Sequence, residues 1–157
     1  MKELPHTHSC FVCGESNPHG LKLRFHTDGR VVTTKFRPQP EHVGFKGVVH
    51  GGVTATVLDE IMVWACVVVT RRFAFCAELN VRYLRPLTPA GEFIVTSEMV
   101  ADRKGRMFEA KATVLDSGGQ TLVQATGKYM PVQDAAVSDM VTDFVGDASW
   151  ILADSTA

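Results

Sequence analysis

The residues best suited to chemistry lie in one short segment, residues 50–60, where a histidine and two glycines precede an apolar run that carries two acids. Gly51 and Gly52 open a predicted helix, and a helix N-terminus has unpaired N–H groups and a partial positive charge. Because glycine has no Cβ, a ligand oxygen can approach this backbone closely. The segment therefore predicts an oxyanion site at the start of the helix.

The two acids of this segment, Asp59 and Glu60, are predicted to do different things. Asp59 lies two turns beyond Gly52 and, with Thr56, forms a polar line on the face that the glycines open. Glu60 points about 100° away around the helix, which predicts an ion-pair or hydrogen-bond role, for example with Arg82. Either acid can also be a solvated edge or half of a structural ion pair. We favour Asp59 as the acid that does chemistry.

The helix that carries these acids is predicted to span about residues 51–69, and its nearly continuous apolar character predicts burial on most sides. Two alternating runs, joined by Asp28-Gly29, precede it and predict a β-hairpin. Further runs of period two follow, with short links between them, in residues 76–87, 92–102, 107–116 and 120–132. The pattern predicts an α+β fold, in which a curved six-strand antiparallel sheet wraps around one long central helix.

The chain is predicted to form one domain, residues 1–132, whose residues 1–20 are an N-terminal Cys-x-x-Cys extension. Residues 133–157 contain five Asp and no Lys or Arg, so they are predicted to be a separate acidic tail. Apolar residues at helical spacing predict a short helix there, packed on the body or on a neighbouring subunit. A frayed, solvated tail is the alternative.

Composition argues against several classes of partner. The net charge of −1 and the lack of a basic block disfavour nucleic acid. The first residues lack the apolar region of a signal peptide, so a cytoplasmic location is expected. The longest apolar stretch, residues 61–69, is too short to span a bilayer, so no membrane partner is expected.

The thiols of the N-terminal extension, Cys10 and Cys13, are interpreted as free in a turn before the first strand. His6, His8 and His19 lie nearby, and two thiolates with two imidazoles could complete a tetrahedral zinc site. The histidine spacing is irregular, however, and the chain has no second Cys-x-x-Cys pair. The sequence therefore predicts no metal site, with structural zinc as the alternative.

Three sequence features together resemble a known family. They are the stretch of residues 44–52 followed by Asp59, the strand of residues 77–86, and the pair Gly105-Arg106. Over about residues 10–132 the chain resembles the hotdog-fold acyl-CoA thioesterases, in particular the phenylacetate-pathway type within the 4-hydroxybenzoyl-CoA thioesterase superfamily. The resemblance implies hydrolysis of an acyl-CoA thioester without a cofactor.

The resemblance also implies roles for individual residues. The N–H of Gly51 binds the thioester carbonyl, Asp59 activates water or attacks the carbonyl itself, and His50 positions the loop or the substrate. Gly44 stands where some relatives carry an Asn that helps to hold the carbonyl. Cys76 lies near the place of a Ser or Thr that orients the water or the acid in relatives.

Substrate contacts are predicted for Gly52 and Cys76, beside the catalytic residues, and for three arginines. Arg82, Arg103 and Arg106 could pair with coenzyme A phosphates, because guanidinium groups match phosphate geometry. Solvated arginines at a sheet edge are the alternative.

Spacing along the helix predicts an oligomer. Gly51 and Asp59 lie eight residues apart, about 12 Å along a helix, which is too far for both to reach one thioester carbon. A two-fold partner with an antiparallel helix would complete each site, so a homodimer or a dimer of dimers (homotetramer) is expected. The alternative functions are a non-catalytic acyl-CoA-binding hotdog protein and a hotdog hydroxyacyl-thioester dehydratase.

Overall fold

The computed structural model describes residues 1–152, with the side chains of residues 134 and 152 left aside. Its helices are α1 (Gly51–Thr70), α2 (Asp134–Met140) and α3 (Ser149–Leu152), with single 3₁₀ turns at Pro40–His42 and Val141–Asp143. Its strands are β1 (Lys2–Glu3), β2 (His6–Thr7), β3 (His26–Thr27), β4 (Val31–Phe36), β5 (Ala74–Tyr83), β6 (Phe93–Asp102), β7 (Phe108–Leu115), β8 (Thr121–Pro131) and β9 (Phe144–Val145).

One antiparallel sheet wraps around the long helix α1. Its strand order is β1-β3-β4-β6-β7-β8-β5, and α1 contacts each of the strands from β4 to β8. The predicted α+β hotdog class is therefore confirmed. The sheet gains one strand over the predicted six, because the two-residue strand β1 pairs with β3 at its edge.

The apolar character of α1 explains its central position. Leu58, Ile61 and Met62 have no exposed surface, and alternate residues of β7, such as Ala112 and Val114, face the helix and are buried. Burying each large aliphatic side chain contributes roughly 1.5 to 3 kcal/mol. Burial of this face thus fixes the rotation of α1, and so the direction in which each acid points.

The first predicted strand is shorter than its alternating pattern indicates. Lys22 adopts a left-handed conformation (φ 54°), which interrupts the run, and only His26–Thr27 form a regular strand. The N–H groups on either side of the interruption bond to the N-terminal extension: Leu21 to the Phe11 carbonyl (2.8 Å) and Leu23 to the Val12 carbonyl (2.9 Å). This segment therefore holds the extension in place.

The C-terminal tail packs on the body as far as the structure describes it. Strand β9 pairs with β2, and the Phe144 ring lies 6.1 Å from the Trp64 ring, measured between centroids. Ile151 is buried. The part of the predicted 133–157 tail that follows residue 152 lies outside the described residues.

Helix α1 is long and apolar enough, by length and composition alone, to cross a membrane. The uninterrupted apolar run of residues 61–69, which was judged too short to span a bilayer, is shorter than this helix. More than half of its most apolar window is buried inside the protein, as expected for the core helix of a wrapped sheet.

Candidate active site

The start of α1 is capped by the histidine that precedes it. His50 Nδ1 accepts the Gly52 N–H at 2.9 Å, and the His50 carbonyl accepts the Val53 N–H at 3.0 Å. Gly52 has no Cβ, and one placed there would lie 3.0 Å from His50 Nδ1, so glycine leaves room for the ring. Among the described residues the Gly51 N–H has no hydrogen-bond partner. The cap thus uses the Gly52 N–H and leaves that of Gly51 for a ligand.

The loop before α1 explains why a small residue stands at position 44. A Cβ on Gly44 would lie 3.0 Å from the His50 ring and 3.3 Å from its Cα. The Gly44 N–H bonds to the Val48 carbonyl at 3.0 Å, and the His50 N–H bonds to the His42 carbonyl at 2.8 Å. Gly44 therefore lets the loop fold tightly around the capping histidine.

A cavity of about 360 Å³ opens at this end of the helix. Gly51 and Thr54 from α1, Tyr83 at the end of β5, and Leu87 line it together with neighbouring residues. The Tyr83 hydroxyl donates to the Gly51 carbonyl at 2.5 Å, which fixes the first peptide of the helix. The cavity is within the size range of small-molecule sites, and the unpaired N–H belongs to a residue of its wall.

Asp59 lies two turns further along α1 and is held by a buried tyrosine. The Tyr129 hydroxyl donates to Asp59 Oδ1 at 3.2 Å and lies 3.4 Å from the Asp59 carbonyl oxygen. Burial, and then the charge of Asp59, raise the pKa of Tyr129, so this hydroxyl stays protonated and remains a donor. The Tyr129 contact was not predicted from the sequence.

Cys76 faces the same carboxylate from the edge strand. It pairs with Tyr129 across β5 and β8, so both side chains lie on one face of the sheet. Burial and a hydrogen bond to Asp59 raise the pKa of the Cys76 thiol to about 11. The Tyr129 hydroxyl therefore donates to Asp59, and the protonated Cys76 thiol lies beside the same carboxylate.

Glu60 faces the N-terminal extension instead of the sheet. Its Oε1 lies 3.8 Å from Cys10 Sγ and 3.6 Å from Cys13 Sγ. Burial, and then the charge of Cys10, raise the pKa of Glu60 to about 8. The hydrogen bond between the thiols lowers the pKa of Cys10 and raises that of Cys13. Pairing of Glu60 with Arg82 was wrong, because Arg82 lines a groove on the opposite face of the sheet.

The predicted substrate arginines lie apart from these groups in a single chain. The groove beside Arg82 has a volume of about 550 Å³ and is lined by residues of strands β4 to β8. Arg103 pairs with Glu109 (2.9 Å), and the Arg106 N–H bonds to the Arg103 carbonyl in the β6–β7 hairpin. That hairpin lies beside the C-terminal end of α1, since Arg72 donates to the carbonyl of its Gly105 at 3.0 Å. It is therefore about 30 Å, the length of α1, from the helix start.

The edge strand β5 is open along its length. In the part of the chain that the structure describes, β5 pairs only with β8, and Phe75 and Tyr83 are 62% and 50% exposed. Long, unpaired edge strands with exposed apolar side chains are ready to pair with another chain. Asp59 and Cys76 lie next to this edge.

Solved structures with the same fold include several thioesterases. One thioesterase superfamily protein is 24% identical with a TM-score of 0.70, and the match covers 79% of this chain but only 60% of that one. The Escherichia coli PaaI protein from the phenylacetic acid degradation operon is 15% identical, with a TM-score of 0.65 over 72% of this chain and 81% of its own. The protein smu.793 from Streptococcus mutans, solved with acetyl CoA bound, is 17% identical, with a TM-score of 0.65 over 70% and 88%. At these identities the likeness shows the fold.

Sequence comparison gives the family directly. No curated protein matches the chain. The family model described as the thioesterase superfamily matches residues 46–124, which is half of the chain and contains the capped helix start, Asp59 and the edge strand. The resemblance inferred from the three sequence features is thereby confirmed, and the chain belongs to the thioesterase superfamily.

Proposed function

We propose that the protein hydrolyses acyl-CoA thioesters to a free acid and coenzyme A, in two equivalent sites shared between the subunits of a homodimer. The observation that carries this proposal is the unpaired N–H of Gly51 in the wall of the cavity at the start of α1. Membership of the thioesterase superfamily supports the same reaction class.

The chemistry needs an anion site at that position. Attack on the thioester carbon moves charge onto the carbonyl oxygen, and one preorganised N–H donor contributes roughly 3 to 4 kcal/mol to stabilising it. The tetrahedral intermediate then collapses, the C–S bond breaks, and the coenzyme A thiolate leaves and takes a proton. Gly51 is suited to the donor role because the His50 cap occupies the next N–H and leaves this one unpaired.

Asp59 supplies the general base or the nucleophile of the reaction. As a general base it would take a proton from the attacking water, a step that contributes about 10² to 10⁴ in rate. As a nucleophile it would attack the carbonyl itself, and water would then release the acid. The hydroxyl of Tyr129 holds the carboxylate at the open edge of the sheet, and the thiol of Cys76 lies beside it.

Two subunits are needed to bring these groups together. The backbones of Gly51 and Asp59 are about 12 Å apart along α1, so one chain cannot place both on one thioester. Pairing through the open strand β5 around a two-fold axis would put the partner's Asp59 opposite Gly51. The Arg103–Arg106 hairpin, at the other end of α1, would then reach the coenzyme A phosphates from the partner subunit.

The test is an acyl-CoA panel that varies chain length and includes an aryl ester, with thiol release followed by a thiol-reactive dye. A reaction without substrate corrects for the protein's own thiols, of which Cys76 is exposed. Release of one thiol per ester, abolished in Asp59→Asn, supports the proposal. Saturable binding without release would indicate an acyl-CoA sensor, and loss of water without release would indicate a dehydratase. Either result would overturn the proposed hydrolysis.

A further inference from the structure

Three metal-binding side chains meet where the N-terminal extension crosses α1. The sulfur atoms of Cys10 and Cys13 and a carboxylate oxygen of Glu60 all lie within 4.8 Å of one another. A tetrahedral zinc ion with the usual bond lengths separates two sulfurs by about 3.8 Å and a sulfur from an oxygen by about 3.5 Å. The sulfur-to-oxygen distances here are 3.8 and 3.6 Å.

The turn that carries the two cysteines is built to present both sulfurs on one side. The Val12 N–H donates to Cys10 Sγ at 3.2 Å, and the Gly14 N–H donates to the Cys10 carbonyl at 2.9 Å. A Cβ on Gly14 would lie 2.2 Å from that carbonyl oxygen, so this turn closes only with glycine. Backbone N–H groups that bond to a sulfur also stabilise its thiolate form.

A buried hydrogen-bond donor for which the structure describes no partner lies on the same helix face as Glu60. Trp64 is 3% exposed, and its Nε1–H has no hydrogen-bond partner among the described residues. It lies one helical turn after Glu60, on the same face of α1. An unpaired N–H in such a place is costly. An ionised Glu60 that binds a cation through one oxygen would offer its other oxygen to Trp64.

The described part of the chain supplies no cationic side chain to neutralise an ionised cluster. Within residues 1–152 no Lys, Arg or His forms an ion pair with Glu60; the nearby Arg24 donates to the Cys13 carbonyl at 2.9 Å instead. Two thiols and one carboxylic acid can stay together in a buried site if they keep their protons. A divalent cation can equally replace those protons, as metal binding to such groups does.

We propose that Cys10, Cys13 and Glu60 bind one zinc ion, which ties the N-terminal extension to α1. Thiolate sulfur favours zinc over magnesium or calcium. Three protein ligands leave the fourth tetrahedral position to a water molecule. The third ligand is 47 residues from Cys13 along the chain, so no local sequence motif groups it with the cysteines.

The test uses the full chain, reduced, treated with a chelator and then titrated with Co²⁺, which gives a thiolate charge-transfer absorption band. We expect a band that saturates at one Co²⁺ per chain and disappears when Zn²⁺ is added. Addition of Zn²⁺ should also raise the melting temperature. Neither measurement depends on thioester hydrolysis, so failure of this proposal is distinguishable from failure of the proposed function.

Matched variants show which groups bind the metal. Glu60→Gln should weaken Co²⁺ binding by at least about tenfold, whereas Asp59→Asn, the neighbouring acid, should leave it unchanged. Cys13→Ser should remove most of the charge-transfer band, whereas Cys66→Ala removes a buried thiol that is not in the cluster. Absence of a saturable band in the folded, reduced wild-type protein would overturn the proposal. Equal affinity in folded Glu60→Gln would overturn the three-ligand site.

Discussion

Asp59 and Glu60 are neighbours in the chain, yet they belong to two different regions of the molecule. Asp59 lies on the face of α1 that meets β5 and β8, next to an open edge. Glu60 lies on the face that the N-terminal extension covers, against two sulfurs. A rotation of about 100° around the helix separates an acid beside an open strand edge from one that faces the N-terminal extension.

The comparison shows that position, more than residue type, decides what an acid can do. Asp59 receives a hydrogen bond from the Tyr129 hydroxyl, which holds its carboxylate in place, and the Cys76 thiol lies beside it. Glu60 lies against the sulfur atoms of Cys10 and Cys13, and burial raises its pKa to about 8. Under the proposed function, a thioester at the open edge of β5 would reach the first acid and not the second.

The largest expected effect separates the two acids directly. Asp59→Asn should lower kcat by about 10² or more and leave KM within a few-fold, because it removes the base or nucleophile but not the binding surface. Glu60→Gln should change kcat much less. The measurement is steady-state thiol release from the best acyl-CoA ester, per mole of folded protein. A greater loss of kcat in folded Glu60→Gln would reverse the assignment.

A second experiment asks in which subunit Asp59 acts. Mixing inactive Asp59→Asn with an inactive Gly51 variant, under subunit exchange, makes half of the dimers mixed at random pairing. Each mixed dimer has one intact and one doubly damaged site if the site is shared, so about a quarter of wild-type activity should return.

The Gly51 variant must fold for this test to be informative. A Cβ at Gly51 would lie 3.3 Å from the Tyr83 hydroxyl, so Gly51→Ala needs only a small shift of that side chain; if it keeps activity, Gly51→Val replaces it. Exchange is followed with subunits that carry different mass labels. Proven exchange without recovery of activity would place both halves of the site in one chain.

The smallest expected effects concern the donors to Asp59. Tyr129→Phe removes a hydrogen bond to a charged group, worth roughly 1.5 to 3 kcal/mol, so kcat should fall by about tenfold if the bond orients the reacting carboxylate. Cys76→Ser replaces a weak donor by a stronger one and should raise kcat by no more than a few-fold. Equal kcat in wild-type and Tyr129→Phe would show that Asp59 needs no such support.

Much of the site could be predicted from the sequence, because several of its residues lie within the single segment of residues 50–60. The glycines and His50 lie together at the helix start, and helical geometry alone separates Asp59 from Glu60. Tyr129 could not be predicted in the same way. Alternation places it on the inner face of β8, but its contact with Asp59 depends on how far the sheet curls around α1.

In the N-terminal extension, too, the structure depends on contacts between residues that are not neighbours in the sequence. The sequence pattern of residues 21–25 predicts a strand, and Lys22 interrupts it with a left-handed conformation that no local rule favours for lysine. The carbonyl partners of the adjacent N–H groups come from Phe11 and Val12. The residues that contact each other between the extension and α1 are also far apart along the chain. From the sequence, Glu60 was therefore paired with Arg82 and not with the cysteines.

The pairing of β2 with β9 has a consequence for the order in which the chain assembles. His6 pairs with Val145, and the Ser9 hydroxyl donates to Asp143 at 2.6 Å, so almost the whole chain lies between the partners. Closing so long a loop costs conformational entropy before the contacts form. During synthesis on the ribosome, the contacts of residues 6–9 with the C-terminal segment can therefore form only after the last strand has emerged, when all strands of the main sheet have already been made.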